Sequence, residues 1–265
     1  MAATDGVTFG DIVAESSPVI DLNADVGEVD DPEMLEIGLL EIVTSANIAT
    51  GAHAGNAAVM DAAISYSLNH GIAIGAHPSY RDREGFGRTT ISTAPSALYE
   101  DLLSQVGALA AVAKARGICV RHVKPHGALY HQVNADEACA RIVAGIAGQF
   151  DGTALVVPSG SPVLEYPWVK VPLIAEAFCD RGYRPDGTLV ARGEKGDLLT
   201  DPEQAAEQAV SIAAHQRARA NDDTWVDIRA DTLCLHGDTP GASAIGLAVR
   251  AALEKAGVRV AAAVR

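Results

Sequence analysis

Ionisable and amide side chains that could carry out acid–base or metal chemistry follow the short apolar runs of this sequence. The motif NADVGE at 23–28 ends the first run, and GAHAG at 51–55 and GAHP at 75–78 follow the next two. HVKPHG at 122–127 and HGD at 236–238 end two later runs. Five of the eight histidines lie in these motifs. Imidazole, carboxylate and ammonium groups that meet in one place can polarise a carbonyl and transfer protons.

Two kinds of chemistry fit these residue types. Asp25, His53 and His77 could bind a divalent metal that polarises water, because mixed oxygen and nitrogen ligands suit zinc-like ions. The same groups could instead act without a metal as general acids and bases around an amide, with Lys124 stabilising an oxyanion. The spacing of these residues matches no short metal-binding motif, so both chemistries remain open at this point.

Lys124 is the most informative single residue. A lysine at the end of an apolar strand is costly to bury without a partner or a ligand, which favours a functional role. A strand-end histidine taken alone is more often structural. The neighbouring glycines could simply allow turns. The prediction of a site therefore depends on these residues converging in space.

The apolar runs alternate with alanine-rich segments of helical periodicity, which is typical of repeated βα units. The pattern predicts strands at 19–25, 46–51, 72–77, 119–124, 154–157, 173–177 and 232–236. It predicts helices at 57–69, 96–116, 137–148, 202–216 and 242–256. Seven such units favour a closed or nearly closed parallel barrel, although an open doubly wound sheet would give the same alternation. Both folds bring the carboxyl ends of the strands, and hence the polar motifs, to one rim.

Composition limits the classes to which the protein can belong. The 265 residues are 48% apolar and 20% charged, as expected for one domain at 18–265 behind a flexible tail at 1–17. The net charge of −14 argues against binding to nucleic acid or to anionic membranes. The sequence shows no signal-peptide pattern, no membrane-spanning apolar run and no metal-like cysteine spacing, which predicts reduced thiols and a cytoplasmic location.

The motifs also resemble the 5-oxoprolinase A-subunit family, which is the LamB/YcsF lactam-utilisation family. The matching segments are IDLNADVGE at 20–28, SANIA at 45–49, GAHPSY at 75–80, GFGR at 85–88, HVKPHGALY at 122–130, DRGY at 180–183, DGTL at 186–189 and HGD at 236–238. They follow the order of the family over about 18–258. The chain departs from the family pattern at Ala24 and Thr50, where cysteine is usual, at Ala52, where an aromatic residue is usual, and at Asn56, where aspartate is usual.

This resemblance implies a fold and an activity. The fold is an α/β single seven-stranded (β/α) barrel of the glycoside hydrolase/deacetylase type. In the activity, 5-oxoproline, ATP and water give glutamate, ADP and phosphate, and the B and C subunits of the same enzyme are the partners. Because the sequence has no GxxxxGK[ST] phosphate loop, we expect ATP to be shared with those partner subunits.

The expected roles combine the resemblance with the chemistry of the residues. Lys124 with His126 or His77 would polarise the lactam carbonyl, while Asp25 and His53 would handle the proton of water or of the ring nitrogen. The substrate carboxylate would lie against Arg88, Arg181 or Arg192, which can form paired hydrogen bonds to it. The full set of expected substrate-binding residues is Asn23, Asn47, Arg88, Glu176, Arg181, Arg192, His236 and Asp238.

Two other functions stay open. One is a metal-dependent deacetylase or amidohydrolase on the same barrel, with Asp25, His53 and His77 as metal ligands. The other is a non-catalytic subunit that presents the substrate to its partners. The sequence is also compatible with a homo-oligomer.

Overall fold

The computed structural model describes residues 17–237, 239 and 241–264. The predicted tail at 1–17 therefore lies outside the described residues, apart from the exposed Ser17. The described helices include none that is both long and apolar enough to span a membrane. The four cysteines are free thiols, of which Cys119 is exposed and the other three are buried.

Seven parallel strands form a closed barrel. The strands of the structure are β1 Val19–Val26, β2 Ser45–Ala49, β3 Ala73–His77, β4 His122–Val123, β5 Ala154–Pro158, β6 Leu173–Phe178, β7 Arg217–Arg219, β8 Trp225–Asp227, β9 Thr232–Leu235 and β10 Arg259–Val260. The barrel order is β1-β2-β3-β4-β5-β6-β9, and β9 pairs with β1. Because β9 pairs in parallel with both β6 and β1, the seven strands form a complete ring, which excludes an open sheet and confirms the predicted barrel.

Three strands lie outside this ring. β10 pairs in parallel with the first residues of β1, and β7 and β8 form an antiparallel hairpin. The sequence pattern did not predict them because each has only two or three residues, too few for an alternation to be recognised.

The helices pack around the barrel. They are α1 Ile37–Leu40, α2 Ala57–His70, α3 Pro95–Ala115, α4 Gly127–Ala135, α5 Glu137–Ala147, α6 Pro202–His215 and α7 Ala242–Lys255, with 3-10 turns at Pro32–Met34 and Pro162–Glu165. The five predicted helices are present within a few residues of their expected ends. α1 and α4 were not predicted, since one is a single turn and the other begins at a glycine that resembles a loop residue. The proline-rich link from β5 to β6 holds only a 3-10 turn, as its composition indicates.

The first strand shows how the barrel sorts its side chains. Leu22 and Val26 are fully buried and belong to the main apolar core. Asn23 and Asp25, in the alternate positions, are also buried, and they make hydrogen bonds to other polar side chains of the barrel. Successive side chains of a strand point to opposite faces. The barrel interior at this end is therefore polar, and its groups must satisfy one another.

Asn56 fixes the start of α2. Its side-chain oxygen accepts hydrogen bonds from the backbone N–H groups of Ala58 (3.0 Å) and Val59 (3.1 Å). Losing such a cap costs about 1 kcal/mol. We expect Asn56→Ala to lower the free energy of unfolding by that amount in urea titrations followed by circular dichroism. Asn56→Asp keeps the acceptor and should stay near wild type, so equal losses in both variants would contradict a capping role.

Candidate active site

The carboxyl ends of the barrel strands surround a cavity of about 510 Å³. Its lining includes most of the residues predicted for the site: Asp25, His77, Arg88, Lys124, His126, Arg181, Arg192 and His236. Asn23, Asn47 and Glu176 lie deeper in the barrel, and His53 lies behind His77 and His126. Asp238 lies outside the described residues. The structure thus brings together groups that are far apart in sequence.

Lys124 is a buried residue of the cavity floor. Its Nζ is 2.8 Å from Asp25 Oδ1 and 2.9 Å from Glu176 Oε1, and it also lies 3.0 Å from Cys234 Sγ. Burial lowers the pKa of Lys124, but Asp25, Cys234 and Glu176 outweigh burial and raise that pKa well above its ordinary value. Lys124 is therefore a permanent cation that two carboxylates hold in place.

Asp25 is the ionised partner of this lysine. Burial raises the pKa of Asp25, but His77 and Lys124 outweigh burial and hold that pKa well below its ordinary value. Asp25 Oδ2 also lies 3.3 Å from His77 Nε2. Asp25 can accept a proton or orient water only as a carboxylate, and its surroundings keep it in that form.

A polar layer beneath the floor positions both groups. The Asn47 amide donates to Asn23 Oδ1 (2.7 Å) and to Asp25 Oδ1 (2.8 Å), and His122 Nε2 lies 2.7 Å from the Asn47 oxygen. Burial lowers the pKa of His122 to about 3, so the ring is neutral and its N–H donates to that oxygen. Gly75 leaves room for this ring, because a Cβ at Gly75 would lie only 2.0 Å from His122 Nε2.

Glu176 anchors the opposite side of this layer. Its Oε1 accepts a hydrogen bond from the Asn23 amide at 3.1 Å, and its Oε2 accepts one from the Tyr130 hydroxyl at 2.6 Å. The same Asn23 amide donates to the Thr232 hydroxyl at 2.8 Å. Asn23, Asn47 and Glu176 thus engage other protein groups below the cavity, which gives them a structural part in placing Lys124.

A second cluster, beside Lys124, consists of Glu28, His53, His77 and His126. Glu28 Oε1 lies 3.0 Å from His53 Nε2, 3.2 Å from His126 Nδ1 and 3.8 Å from His77 Nε2. Burial raises the pKa of Glu28, but the adjoining imidazoles of His126 and His53 outweigh burial and lower it far below its ordinary value. Glu28 belongs to the NADVGE motif but was not predicted as a site residue.

A glycine loop closes over these histidines. Gly87 has a φ of +66°, and a Cβ there would lie 2.8 Å from His126 Cδ2 and 2.9 Å from His53 Cβ. The Phe86 ring packs edge-on against the His53 and His126 rings, with centroid distances of 5.5 and 5.4 Å. The GFGR motif therefore serves close packing on the histidine cluster, and it brings Arg88 to the cavity wall.

Another part of the cavity lining comes from the long segment between β6 and α6. Arg181 donates from Nε to the carbonyl oxygen of Asp197 (2.9 Å) and from Nη2 to that of Val190 (2.8 Å). Burial lowers the pKa of His131, and the nearby charges of Arg181 and Arg192 lower it further. This part of the lining is electropositive, which suits an anionic ligand.

His236 forms an ion pair at the end of β9. Its Nδ1 lies 2.9 Å from Asp180 Oδ1, and the Thr239 hydroxyl donates to Asp180 Oδ2 at 2.7 Å. Burial lowers the pKa of His236, but Asp180 outweighs burial and raises that pKa above its ordinary value. Burial raises the pKa of Asp180, but His236 outweighs burial and lowers it.

This pair predicts a pH dependence of stability. The pKa of His236 is higher in the folded protein than in the unfolded chain, where it is about 6.5. The contribution of His236 to the free energy of unfolding is therefore complete below about pH 6.5, and it is lost as the pH rises through the pKa of the folded protein. The contribution of Asp180 is lost only as the pH falls through its lowered pKa. We expect the difference in unfolding free energy between wild type and His236→Gln to shrink from mildly acidic to alkaline pH. Urea titrations across that range measure it, and a difference that stays constant would contradict the ion pair.

The residues that depart from the family pattern have defined places. The Thr50 hydroxyl donates to Gln105 Oε1 at 2.9 Å, whereas Ala24 and Ala52 are buried apolar residues. Asn56 caps α2 at the surface, where aspartate would also serve as an acceptor. Lys124, Asp25 and the histidine cluster form their contacts without thiols at positions 24 and 50.

Comparison with known proteins agrees with this geometry. The model of the LamB/YcsF family matches residues 20–265. A curated protein of Methylococcus capsulatus, named as the A subunit of 5-oxoprolinase, is 43% identical over 247 residues, which cover 92% of this chain and 95% of the relative. The crystal structure of a lactam utilization protein from Thermus thermophilus is 40% identical and superimposes with a TM-score of 0.86, covering 92% of this chain and 99% of that one.

A more distant similarity concerns the fold alone. The family 4 carbohydrate esterase from Streptomyces lividans has a TM-score of 0.51 at 11% identity, covering 92% of this chain and 91% of the esterase. This agrees with the predicted barrel of the glycoside hydrolase/deacetylase type. The family model and the close relatives span nearly the whole described barrel, and the chain therefore belongs to the LamB/YcsF family.

Proposed function

We propose that this chain is the A subunit of a 5-oxoprolinase and opens the lactam ring of 5-oxoproline together with the partner B and C subunits and ATP. Family membership and the name of its curated relatives support the proposal. The structural observation that carries it is the Lys124–Asp25 pair on the floor of a cavity whose wall holds Arg88, Arg181 and Arg192. A cyclic amide that bears a carboxylate fits that arrangement of charges.

The chemistry of the substrate accounts for ATP. A five-membered lactam is an unactivated amide, and coupling its opening to ATP hydrolysis makes the reaction favourable. The overall reaction consumes 5-oxoproline, ATP and water and yields glutamate, ADP and phosphate. We assign the nucleotide to the assembled complex, because this chain has no phosphate-loop motif. We place that complex in the cytoplasm.

The roles of individual residues follow from their positions. Lys124 is a buried cation that can polarise the lactam carbonyl and stabilise the oxyanion formed when water attacks. Asp25, as a carboxylate next to Lys124, orients water or accepts its proton. The arginines of the cavity lining supply the positive charge that holds the substrate carboxylate. His77 and His126 border the same space and complete the site around the carbonyl.

A coupled assay tests the proposal. The chain, assembled with its partner subunits, should form ADP and glutamate in equal amounts from 5-oxoproline. Lactams that lack the carboxylate should react poorly, because they cannot engage the arginines. If the complex turned over another lactam but not 5-oxoproline, the assignment of 5-oxoproline as the substrate would be wrong, whereas the assignment of the fold would stand.

One observation favours a second function, a metal-dependent amidohydrolase. Glu28, His53, His77 and His126 place potential ligand atoms within 4.8 Å of one another. Such an enzyme would hydrolyse amides or acetyl groups without ATP or partner subunits, and a chelator would abolish that activity until metal is restored. Activity of the isolated chain on acetylated amines would support this alternative over the first.

A further inference from the structure

Hydrogen bonds on the outer side of two histidines determine which ring nitrogens carry protons. His77 Nδ1 lies 2.7 Å from the carbonyl oxygen of Lys124, and His126 Nε2 lies 2.9 Å from that of Phe86. A carbonyl oxygen only accepts hydrogen bonds, so both of these nitrogens are N–H donors. In the neutral rings, the inner nitrogens, His77 Nε2 and His126 Nδ1, therefore carry lone pairs.

The position of the ring proton of His53 is determined in the same way, by the hydroxyl of Ser79. Its Nδ1 lies 2.9 Å from the Ser79 hydroxyl, and that hydroxyl donates its own proton to the carbonyl oxygen of Tyr80 at 2.8 Å. The hydroxyl must then accept from His53 Nδ1–H, which leaves a lone pair on the inner Nε2.

The inner lone pairs converge without a proton between them. His77 Nε2 and His126 Nδ1 are 3.0 Å apart, and His53 Nε2 lies 3.0 Å from the carboxylate oxygen Oε1 of Glu28. Contacts at this distance between two acceptors are repulsive unless a positive species lies between them. The side chains of the cluster are nearly or fully buried, so solvent screens this repulsion only weakly.

We propose that Glu28, His53, His77 and His126 bind one divalent cation of the zinc class. A tetrahedral ion with bonds of about 2.0–2.1 Å holds neighbouring ligand atoms roughly 3.3–3.4 Å apart. The ligand atoms of the cluster show separations of 3.0, 3.0, 3.2 and 3.8 Å, which bracket that value. The outer N–H groups bound to carbonyl and hydroxyl oxygens are the second layer that orients metal-binding histidines.

This ligand set differs from the one that the sequence suggested, because Glu28 and His126 join it and Asp25 leaves it. Asp25 Oδ1 is occupied by Lys124 (2.8 Å) and by the Asn47 amide (2.8 Å). Its Oδ2 lies 3.3 Å from His77 Nε2, but Asp25 is not among the side chains whose ligand atoms all lie within 4.8 Å of one another, so Asp25 serves as the counter-ion of Lys124 beside the cation. Glu28, His77 and His126 also line the cavity, so a bound cation would face the substrate.

Binding requires one local rearrangement. The His53 and His126 rings are parallel within 1°, with centroids 3.8 Å apart. Two parallel rings cannot both hold one ion in their ring planes, so loading turns one ring out of the stack. The two rings should consequently differ more in their imidazole NMR shifts after loading with Zn²⁺ than before.

Cobalt binding tests the inference on the full chain, without substrate or partner subunits, so its result is independent of the proposed lactam reaction. After treatment with a chelator, the wild type should bind one Co²⁺ and develop visible d–d absorption bands, which Zn²⁺ then displaces. Glu28→Gln, which keeps the shape of the side chain, and His126→Asn should each weaken binding by more than the about 10–100-fold typical of second-layer changes. His215→Asn, at an exposed helix end, is the matched control and should bind as the wild type does.

Further variants and controls decide between ligand sets. Asp25→Asn should keep its affinity for Co²⁺ if Asp25 is only the counter-ion of Lys124. Loss of binding in Asp25→Asn together with retention in Glu28→Gln would overturn the proposed set. A wild type that binds no Co²⁺ or Zn²⁺, or binding that only His215→Asn abolishes, would overturn the site itself. Thermal melting followed by circular dichroism shows whether each variant is folded. If His126→Asn does not fold, the Co²⁺ affinity of Glu28→Gln is the deciding measurement.

Discussion

Lys124→Met is expected to lower turnover of the assembled enzyme by at least about 10²–10³-fold, the effect of removing one donor to a developing oxyanion. The Lys124 ammonium is a buried cation of the cavity floor, and it is held by Asp25 and Glu176 at 2.8 and 2.9 Å. A methionine fills a similar volume but supplies no charge. ADP and glutamate formation at saturating 5-oxoproline measures the loss as a change in kcat.

The same substitution should also destabilise the fold. Removing one partner of a buried ionic group typically costs about 3–5 kcal/mol, because the remaining charges lose their compensation. Here the carboxylates of Asp25 and Glu176 would stay buried without their shared cation. Urea unfolding measures this cost, and activity is expressed per folded molecule. Lys114→Met, on the exposed side of α3, is the matched control and should change neither quantity. Wild-type turnover by folded Lys124→Met would remove Lys124 from the mechanism.

Asp25→Asn is expected to reduce turnover by about 10²–10⁴-fold, as the loss of a general base does. The amide keeps the size of the side chain and an oxygen that can accept from Asn47 and Lys124, so the fold should persist. What disappears is the negative charge that His77 and Lys124 maintain by lowering the pKa of Asp25. The comparison of kcat with KM in the assembled complex locates the loss in the chemical step or in binding.

This variant also distinguishes catalysis from scaffolding. Asp151→Asn, an exposed substitution of the same kind, should leave turnover unchanged. If Asp25→Asn in an intact complex also turned over at the wild-type rate, the chain would be a subunit that presents substrate to its partners. A large loss in Asp25→Asn alone would assign a chemical step to this cavity.

Much of the fold could be predicted from local pattern. Alternating apolar runs and alanine-rich helices identified the seven strands of the barrel and five of its helices, because burial of one face imposes a period on the sequence. Elements too short for a period, such as β4 at His122–Val123, were predicted too long, and α4 was missed at its glycine start. Periodicity could not show whether the sheet closes, since closure depends on the pairing of β9 with β1.

The candidate site, like the fold, could be predicted only in part from the sequence pattern. Local pattern was enough to show which residues stand at the carboxyl ends of strands, since a parallel barrel gathers those ends on one rim. The motifs were also enough to indicate the family. They did not reveal that Glu28 faces three histidines, because that residue lies beyond the strand in a turn whose direction Gly27 sets with a φ of +71°.

The pairing of side chains, in contrast, depends on the folded barrel. Lys124 meets Asp25 across 99 residues of sequence, and Asn23 meets Glu176 across 153, because strand register and barrel closure set those distances. The same contacts decide ionisation, since burial opposes charge and only a neighbouring opposite charge restores it. Residue types thus define the chemistry that is available, while the packing of the barrel defines which groups are charged and which atoms face the substrate.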